Sequence, residues 1–250
     1  MYGAEEEEEF RRLDGDGESS SKAVRFYGGR VPRTPMLDVM RQTIKKARVA
    51  RLEEILSKRC ASVQVLLENL QDPHNGAVCV RSADSMGLMY INVVEYFMPF
   101  AYDPELAHGS DEYVEIRRFQ TSYDAVKQLK MEGFCLLATT LDEDSIPVSE
   151  VDFSAIDKVC ILFGNEERGL SESILSQADV KIFLPMVGMV QSLNISASFA
   201  QVLYHLRTVG RIRPDLEDSK IAAVHEKWII NTARNPKKII TKHNFDYPIL

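Results

Sequence analysis

From Pro35 onward, apolar residues recur at three- and four-residue steps with one step of five: Leu37, Met40, Ile44, Ala47, Leu52, Ile55 and Leu56. That period predicts an amphipathic helix, or two, with basic residues on the outer face. Beyond it the period changes. "SVQVLLENL" reads as a strand, "QDPHNG" as a turn, "AVCVRSADSMG" as a helix stopped by Gly87, and "LMYINVVEYF" as a second strand. Strand, turn, helix, strand is a βαβ unit and implies a parallel sheet. The alternation continues with "SYDAVKQLKMEG" as a helix, "FCLLATTL" and "KVCILFG" as strands, "SESILSQA" as a helix and "VKIFLP" as a strand. "SLNISASFAQVLYHLRTVG" is the long closing helix. The expected fold is therefore α/β with a mostly parallel sheet over Ser62 to Gly210 and no internal repeat. Pro214 to Arg234 predicts one more helix, carrying the only tryptophan, Trp228, ahead of a basic tail ending in "DYPIL".

Composition leaves this picture standing: 250 residues, 45% hydrophobic and 27% charged, suit one large α/β domain or two small ones. The longest apolar runs are of strand length, far from the roughly 20 residues of a membrane-spanning helix, so no membrane association is expected. Cys60, Cys79, Cys135 and Cys160 stand far apart, without a C-x-x-C or a histidine at ligand spacing. They read as buried thiols of a reducing, cytoplasmic protein, with no metal expected.

Charge changes the picture more. The net charge of −7 speaks against a nucleic-acid partner until it is resolved by segment. Residues 1–22 hold eight acids against three bases; Arg30 to Arg59 hold nine bases against three acids; His205 to His243 hold nine bases against four acids. Four regions are expected: an acidic, disordered extension over 1–34 without a targeting signal, a basic helical arm over 35–60, the α/β domain over 61–210, and a C-terminal helix with a basic tail over 211–250.

Three polar clusters fall just past the carboxyl ends of predicted strands, where α/β sheets hold ligands. In "DPHNGAVCVR", Asn75 could be no more than a helix cap. Arg81 is harder to dismiss: Val78, Cys79, Val80 and Ala83 make the helix apolar nearly all round, and a largely buried Arg needs an anion or acceptors. In "FGNEERGLSES", Gly164 and Gly169 fit a tight strand exit. Gly169 is followed by Leu170 and Ser171, not by the Lys-Ser/Thr of a phosphate loop. Glu166 and Glu167 read equally well as solvated loop charges. The third cluster, "LPMVGMVQSLNISASF", is odd: a helix that must bury Leu193, Ile195 and Phe199 opens with Gln191, Ser192, Asn194, Ser196 and Ser198, types that weaken helix interiors. That turn faces either solvent or something that needs amides and hydroxyls.

The runs "RLEEILSKRCASVQVLLENLQDPHNGAVCVRSADSMG", "GSDEYVEIRRFQTSYDAVKQLKMEGFCLLATTL" and "FGNEERGLSESILSQADVKIFLPMVGMVQSLNISAS" resemble the SpoU/TrmH-type RNA ribose 2'-O-methyltransferases of the SPOUT class, over roughly Arg51 to Asn231. Within that family the likeness is greatest to members acting on guanosine 18 in the D-loop of tRNA. The resemblance implies an α/β knot, a deep trefoil over about 159–206 that is a rare exception to unknotted topology. It implies S-adenosyl-L-methionine held in the knot by Thr139, Gly164, Leu184 and Leu193, with Ile182, Met186, Gly188 and Met189 lining the site. It implies a homodimer whose active site is completed across the interface. Asn75, Arg81, Glu166, Ser192 and Asn194 match the family's functional positions: Arg81 to activate the ribose 2'-hydroxyl or stabilise its developing charge, Asn75 to position Arg81 or the ribose, Ser192 and Asn194 to orient substrate, Glu166 to fix its loop. The basic arm, with Lys45, Lys46, Arg48, Arg51, Lys58 and Arg59, would grip RNA phosphates. Two departures stand out. Gly76 and Ala77 follow the motif asparagine where the family often has a bulky aliphatic residue and then a small one, and Glu167 and Arg168 stand where it often has Lys and an aromatic. The alternatives are 2'-O-methylation of ribosomal or another structured RNA, and a catalytically silent RNA-binding homologue.

Overall fold

The apolar period after Pro35 becomes two helices, α1 (Pro35–Arg41) and α2 (Lys46–Leu56). Thr34 starts the first: its Oγ1 accepts the N–H of Leu37 at 3.2 Å, and Pro35 occupies the first turn, where its missing N–H costs nothing. The structure is a computed structural model that describes residues 34–243; the expected acidic extension, Thr34 apart, and the "DYPIL" end lie outside the described residues. Residues 58–216 form one compact unit, and the helices before and after them in the chain form another.

In the larger unit the strands are β1 (Val63–Glu68), β2 (Tyr90–Val94), β3 (Glu115–Phe119), β4 (Cys135–Thr139), β5 (Ile146–Pro147), β6 (Val159–Phe163) and β7 (Val180–Phe183). They make one seven-stranded sheet in the order β3-β2-β1-β6-β4-β7-β5, with every neighbouring pair parallel. β1 and β6 lie at its centre in register, Val65 opposite Ile161 and Leu67 opposite Phe163. Both are buried along their whole length, as a parallel strand covered on two faces must be. Successive side chains feed opposite cores. Val65, Leu67, Ile161 and Phe163 join one core with Val80, Ala83, Phe199 and Leu203. Leu66, Cys160 and Leu162 join the other with Ala125, Leu129 and Ile174.

Those partners come from the crossover helices: α3 (Pro73–Met86) and α7 (Ile195–Thr208) on the first face, α5 (Ser122–Met131) and α6 (Glu172–Leu175) on the second, with a short α4 (Pro104–Ala107) in between along the chain. Three local readings need correction. The stretch "QDPHNG" is not a turn: Asp72 caps α3, its Oδ1 accepting the N–H of His74 at 2.9 Å, and Pro73 is the first helical residue. Asn75 therefore lies inside the helix and is not its cap. "SLNISASF" does not start a helix at Ser192; α7 begins at Ile195 with Asn194 as its cap, so Gln191, Ser192 and Leu193 precede it, and Leu193 is 37% exposed where burial was expected. β3 goes unmarked by the apolar pattern because it is an edge strand carrying Arg117 and Arg118. Arg117 is held by a forked pair of bonds to Glu132 at 2.5 and 2.9 Å.

The helical unit is completed by α8 (Asp218–Thr232), which packs on α1 and α2, and by α9 (Pro236–His243), a helix where only a basic tail was expected. Leu37, Met40, Leu52, Trp228, Ile229 and Ile240 are buried. Glu53 Oε1 receives Arg41 at 3.2 Å and faces His225 Nε2 at 3.3 Å. Lys45, Lys46, Arg48 and Arg51 are exposed, Arg51 pairing with Glu54 at 2.8 Å. Arg59 is a correction to the basic arm. It belongs to the larger unit and is 1% exposed, its guanidinium bound to the Asp84 carboxylate and to the carbonyls of Asp84 and Leu88, so it is a structural cation and not a phosphate grip. Cys60, Cys79 and Cys160 are buried free thiols and Cys135 is half-buried; burial pushes the Cys79 and Cys160 thiols far up, out of reactive range. No helix among the described residues is long and apolar enough to cross a membrane.

Candidate active site

The carboxyl ends of β4, β6 and β7 and the loop before α7 surround a cavity of about 770 Å³. Thr139, Gly164, Ile182, Leu184, Met186 and Leu193 line it, together with Asn75, Glu166, Ser192 and Asn194. The sequence separates these groups widely; hydrogen bonds bring them together. Asn194 Nδ2 donates to Asn75 Oδ1 at 3.0 Å, and Asn75 Nδ2 donates to Glu166 Oε1 at 3.1 Å. The Glu166 carboxylate also accepts the backbone N–H groups of Gln71 and Asp72, each at 3.1 Å. One chain of bonds thus ties the start of α3, the loop after β6 and the cap of α7. The amide of Asn75 is held at both ends, its nitrogen donating and its oxygen accepting, which fixes the way it faces.

Burial raises the Glu166 carboxyl, but the N–H of Gln71, the Asn75 amide and the N–H of Asp72 outweigh it, and the group ends below its ordinary range. With the folded value depressed, the carboxylate's contribution is present above the unfolded pKa and lost as pH falls through the folded one. Ligand affinity of the cavity should therefore be flat from neutral pH down into the ordinary carboxylate range and fall only below it. Glu166→Gln, which gives up one acceptor oxygen, should bind the cofactor roughly tenfold more weakly at neutral pH and lack the acid limb. Calorimetric titration across pH measures both; an acid limb that persists in Glu166→Gln would assign it to another group.

Asn165, which the sequence reading passed over, holds the same loop. Its Nδ2 donates to the Asn69 carbonyl at 2.8 Å, its Oδ1 accepts the N–H groups of Glu167 and Arg168, and its backbone exchanges two 2.9 Å bonds with Gly169. The only signal for it was its place, directly after a strand-end glycine. Thr139 lines the cavity but its hydroxyl is spent on the Leu162 carbonyl at 2.8 Å. Gly76, one of the two departures noted above, has a steric reason: a Cβ there would meet the Ala101 carbonyl oxygen at 2.5 Å.

Three expected site residues do not reach the cavity. Arg81, expected to be largely buried, is exposed on α3 beside Val78, which is 40% exposed, because nothing among the described residues covers that side of the helix. Gly188 and Met189 are exposed on the loop before α7 and are absent from the lining, Met189 being wholly exposed.

The lining has a definite electrostatic character. Asp72, Asp142, Glu166 and Glu167 stand against Arg168 alone among the lining residues, while Phe163, Ile182, Leu184 and Val202 supply apolar wall. Such a site disfavours a phosphate-bearing nucleotide and suits a small molecule with an apolar body and a positive charge. A parallel sheet with polar groups from three strand-end loops converging on one cavity defines an α/β enzyme domain that binds a small cofactor at its carboxyl edge. A model of the SpoU rRNA methylase family matches residues 62–204. The chain belongs to the SpoU rRNA methylase family. It is 38% identical over 189 residues to the tRNA (guanosine(18)-2'-O)-methyltransferase of Thermus thermophilus, covering 74% of this chain and 96% of that one. The crystal structure of the Aquifex aeolicus TrmH/SpoU tRNA modifying enzyme superposes with a TM-score of 0.68 at 30% identity, covering 77% of this chain and 98% of that chain. The AdoMet-bound rRNA methyltransferase of Sinorhizobium meliloti gives a TM-score of 0.53 at 26% identity, covering 59% and 56%.

Proposed function

We propose that the protein is an S-adenosyl-L-methionine-dependent RNA ribose 2'-O-methyltransferase that modifies guanosine 18 of tRNA. The observation that carries this reading is the Asn194–Asn75–Glu166 chain at the edge of an acidic-lined cavity, in a sequence aligned with nearly the whole of a relative named for that reaction. Thr139, Gly164, Ile182, Leu184, Met186 and Leu193 would hold the cofactor. When bound, S-adenosyl-L-methionine supplies an electrophilic methyl group carried on a cationic sulfur, which the excess of lining carboxylates suits.

The chain's own residues then orient the ribose. A 2'-hydroxyl is a weak nucleophile, so it has to be aimed and its developing charge met. Glu166 locks the loops, Asn75 and Asn194 fix the polar rim, and the Ser192 hydroxyl, exposed at the cavity edge, orients the substrate. Arg81 stabilises the forming alkoxide at the 2'-oxygen, a role that needs no proton loss from the guanidinium. Val78, Val187, Met189 and Val190 are all exposed apolar side chains, and this supports a homodimer in which the exposed Arg81, Gly188 and Met189 are covered by, and complete, the partner's site. The trefoil over about 159–206 belongs to the same reading, in a sheet where β6 lies between β1 and β4 and β7 lies beyond β4. Lys45, Lys46, Arg48, Arg51 and Lys58 contact RNA phosphates.

Incubating the protein with labelled S-adenosyl-L-methionine and unmodified tRNA, then mapping nucleosides, should place the label in 2'-O-methylguanosine at position 18. Label confined to ribosomal RNA would move the substrate, and no label in any RNA would overturn the enzymatic reading.

A further inference from the structure

Beside the main cavity lies a second, of about 350 Å³. Gln71, Asn165, Arg168, Gly169 and Leu170 line both, so the two spaces adjoin across a shared wall. Phe97 and Met98 line the second, and with Tyr96 directly before them they make a run of large apolar residues facing water: Tyr96 is 64% exposed, Phe97 68% and Met98 40%. Single exposed apolar residues need no explanation, but three in succession at the edge of a ligand cavity do.

This wall is held in place. Asn69, in the left-handed region at φ 50°, turns its Oδ1 to accept the N–H groups of Tyr96 at 2.9 Å and Phe97 at 3.1 Å. The two rings meet edge to face with centroids 4.9 Å apart, and the Arg168 guanidinium lies 5.8 Å over the Phe97 ring. The Arg168 loop is fixed in turn by Asn165, whose Oδ1 accepts the Arg168 N–H at 3.1 Å.

Aromatic faces and guanidinium planes are the surfaces on which unstacked RNA bases rest. We propose that Tyr96, Phe97 and Arg168 form a stacking platform for an unpaired base at, or next to, the nucleotide whose ribose is methylated. The proposal rests on the reading of the main cavity as an RNA ribose methyltransferase site. The wall that the two cavities share sets the platform beside the main cavity, where a nucleotide adjoining the reacting ribose would lie. The cation at the platform suits a base tethered to phosphates better than an apolar peptide. Glu68 in the same lining is buried, with Ser122 and Ser171 bonded to its carboxylate.

The test uses the full-length protein and unmodified tRNA transcripts carrying 2-aminopurine in turn at the target position and on either side of it. Binding to the wild type should quench the fluorescence of one of these three. Tyr96→Ala/Phe97→Ala should remove the quench and raise KM for tRNA roughly five- to hundredfold, with kcat at saturating tRNA and cofactor affinity close to the wild type. Tyr96→Phe/Phe97→Tyr, which keeps both rings, should restore quench and KM. Normal methylation together with an unchanged KM in the double alanine variant, or no quench at any position in the wild type, overturns the platform and leaves the function standing. A wild type that methylates no RNA overturns the function, and the platform with it.

Discussion

Arg81→Ala should cut methyl transfer by about two to three orders of magnitude while changing cofactor affinity by no more than about twofold. The asymmetry follows from where Arg81 stands. It is exposed on α3 and does not line the cavity, so its removal leaves the cofactor's walls and the core on the inner face of the helix intact. On the proposed mechanism, what is lost is a positive charge for the 2'-oxygen as the methyl group transfers. Such a charge acts in the transition state more than in the ground state, so the loss appears in kcat. Arg81→Lys keeps a charge but not the planar fork, and should fall between the two. Single-turnover rates with saturating tRNA and calorimetric cofactor binding separate the terms. Turnover close to the wild type would remove Arg81 from the mechanism, and a matching loss of cofactor affinity would make its role structural.

The same residue shows what the sequence could and could not convey. Its chemical type and spacing from Asn75 were legible, and so was the helix that carries both, because α3 is apolar on the face that meets the sheet and stops at Gly87, whose φ of 86° is a left-handed cap. Its exposure was not legible, because an apolar residue such as Val78 looks alike in the sequence whether it faces a core or solvent. The central strands were plain, since burial on two faces leaves an unbroken apolar run. β3 was hidden, since an edge strand tolerates Arg117 and Arg118. The polar opening of "SLNISASF" was misread as a helix interior because a cap and a first-turn residue are the same types one turn apart; the oxygen of Asn194 accepts the Ser196 N–H at 2.8 Å and settles which it is. The bonds that make the site join residues 91 and 119 positions apart, and no local pattern encodes such a pairing.

Gly164→Ala should be the most damaging single methyl group that can be added to the cavity. Gly164 leaves β6, and the chain returns over it so closely that a Cβ would fall onto the backbone of Gly169 and Leu170. Every obstacle is main chain, so no side chain can swing aside. The return itself is pinned by the two 2.9 Å bonds between Asn165 and Gly169 and by the left-handed Gly169 at φ 68°. Relief requires either breaking that pair or displacing the end of β6, a strand buried along its length at the centre of the sheet. The expected cost is on the order of 3 kcal/mol in folding stability. Cofactor affinity should fall by about a hundredfold or more, because Gly164, Asn165 and Gly169 are themselves lining. Gly188→Ala is the matched comparison for the fold of the chain itself: within the chain a Cβ there meets nothing within 4 Å, so unfolding of the monomer should change by no more than about 0.5 kcal/mol. Denaturant unfolding and calorimetric binding of both variants decide the matter. Wild-type stability and affinity in Gly164→Ala would mean that the loop does not fold back on β6, and the cavity would lose the wall on which its shape depends.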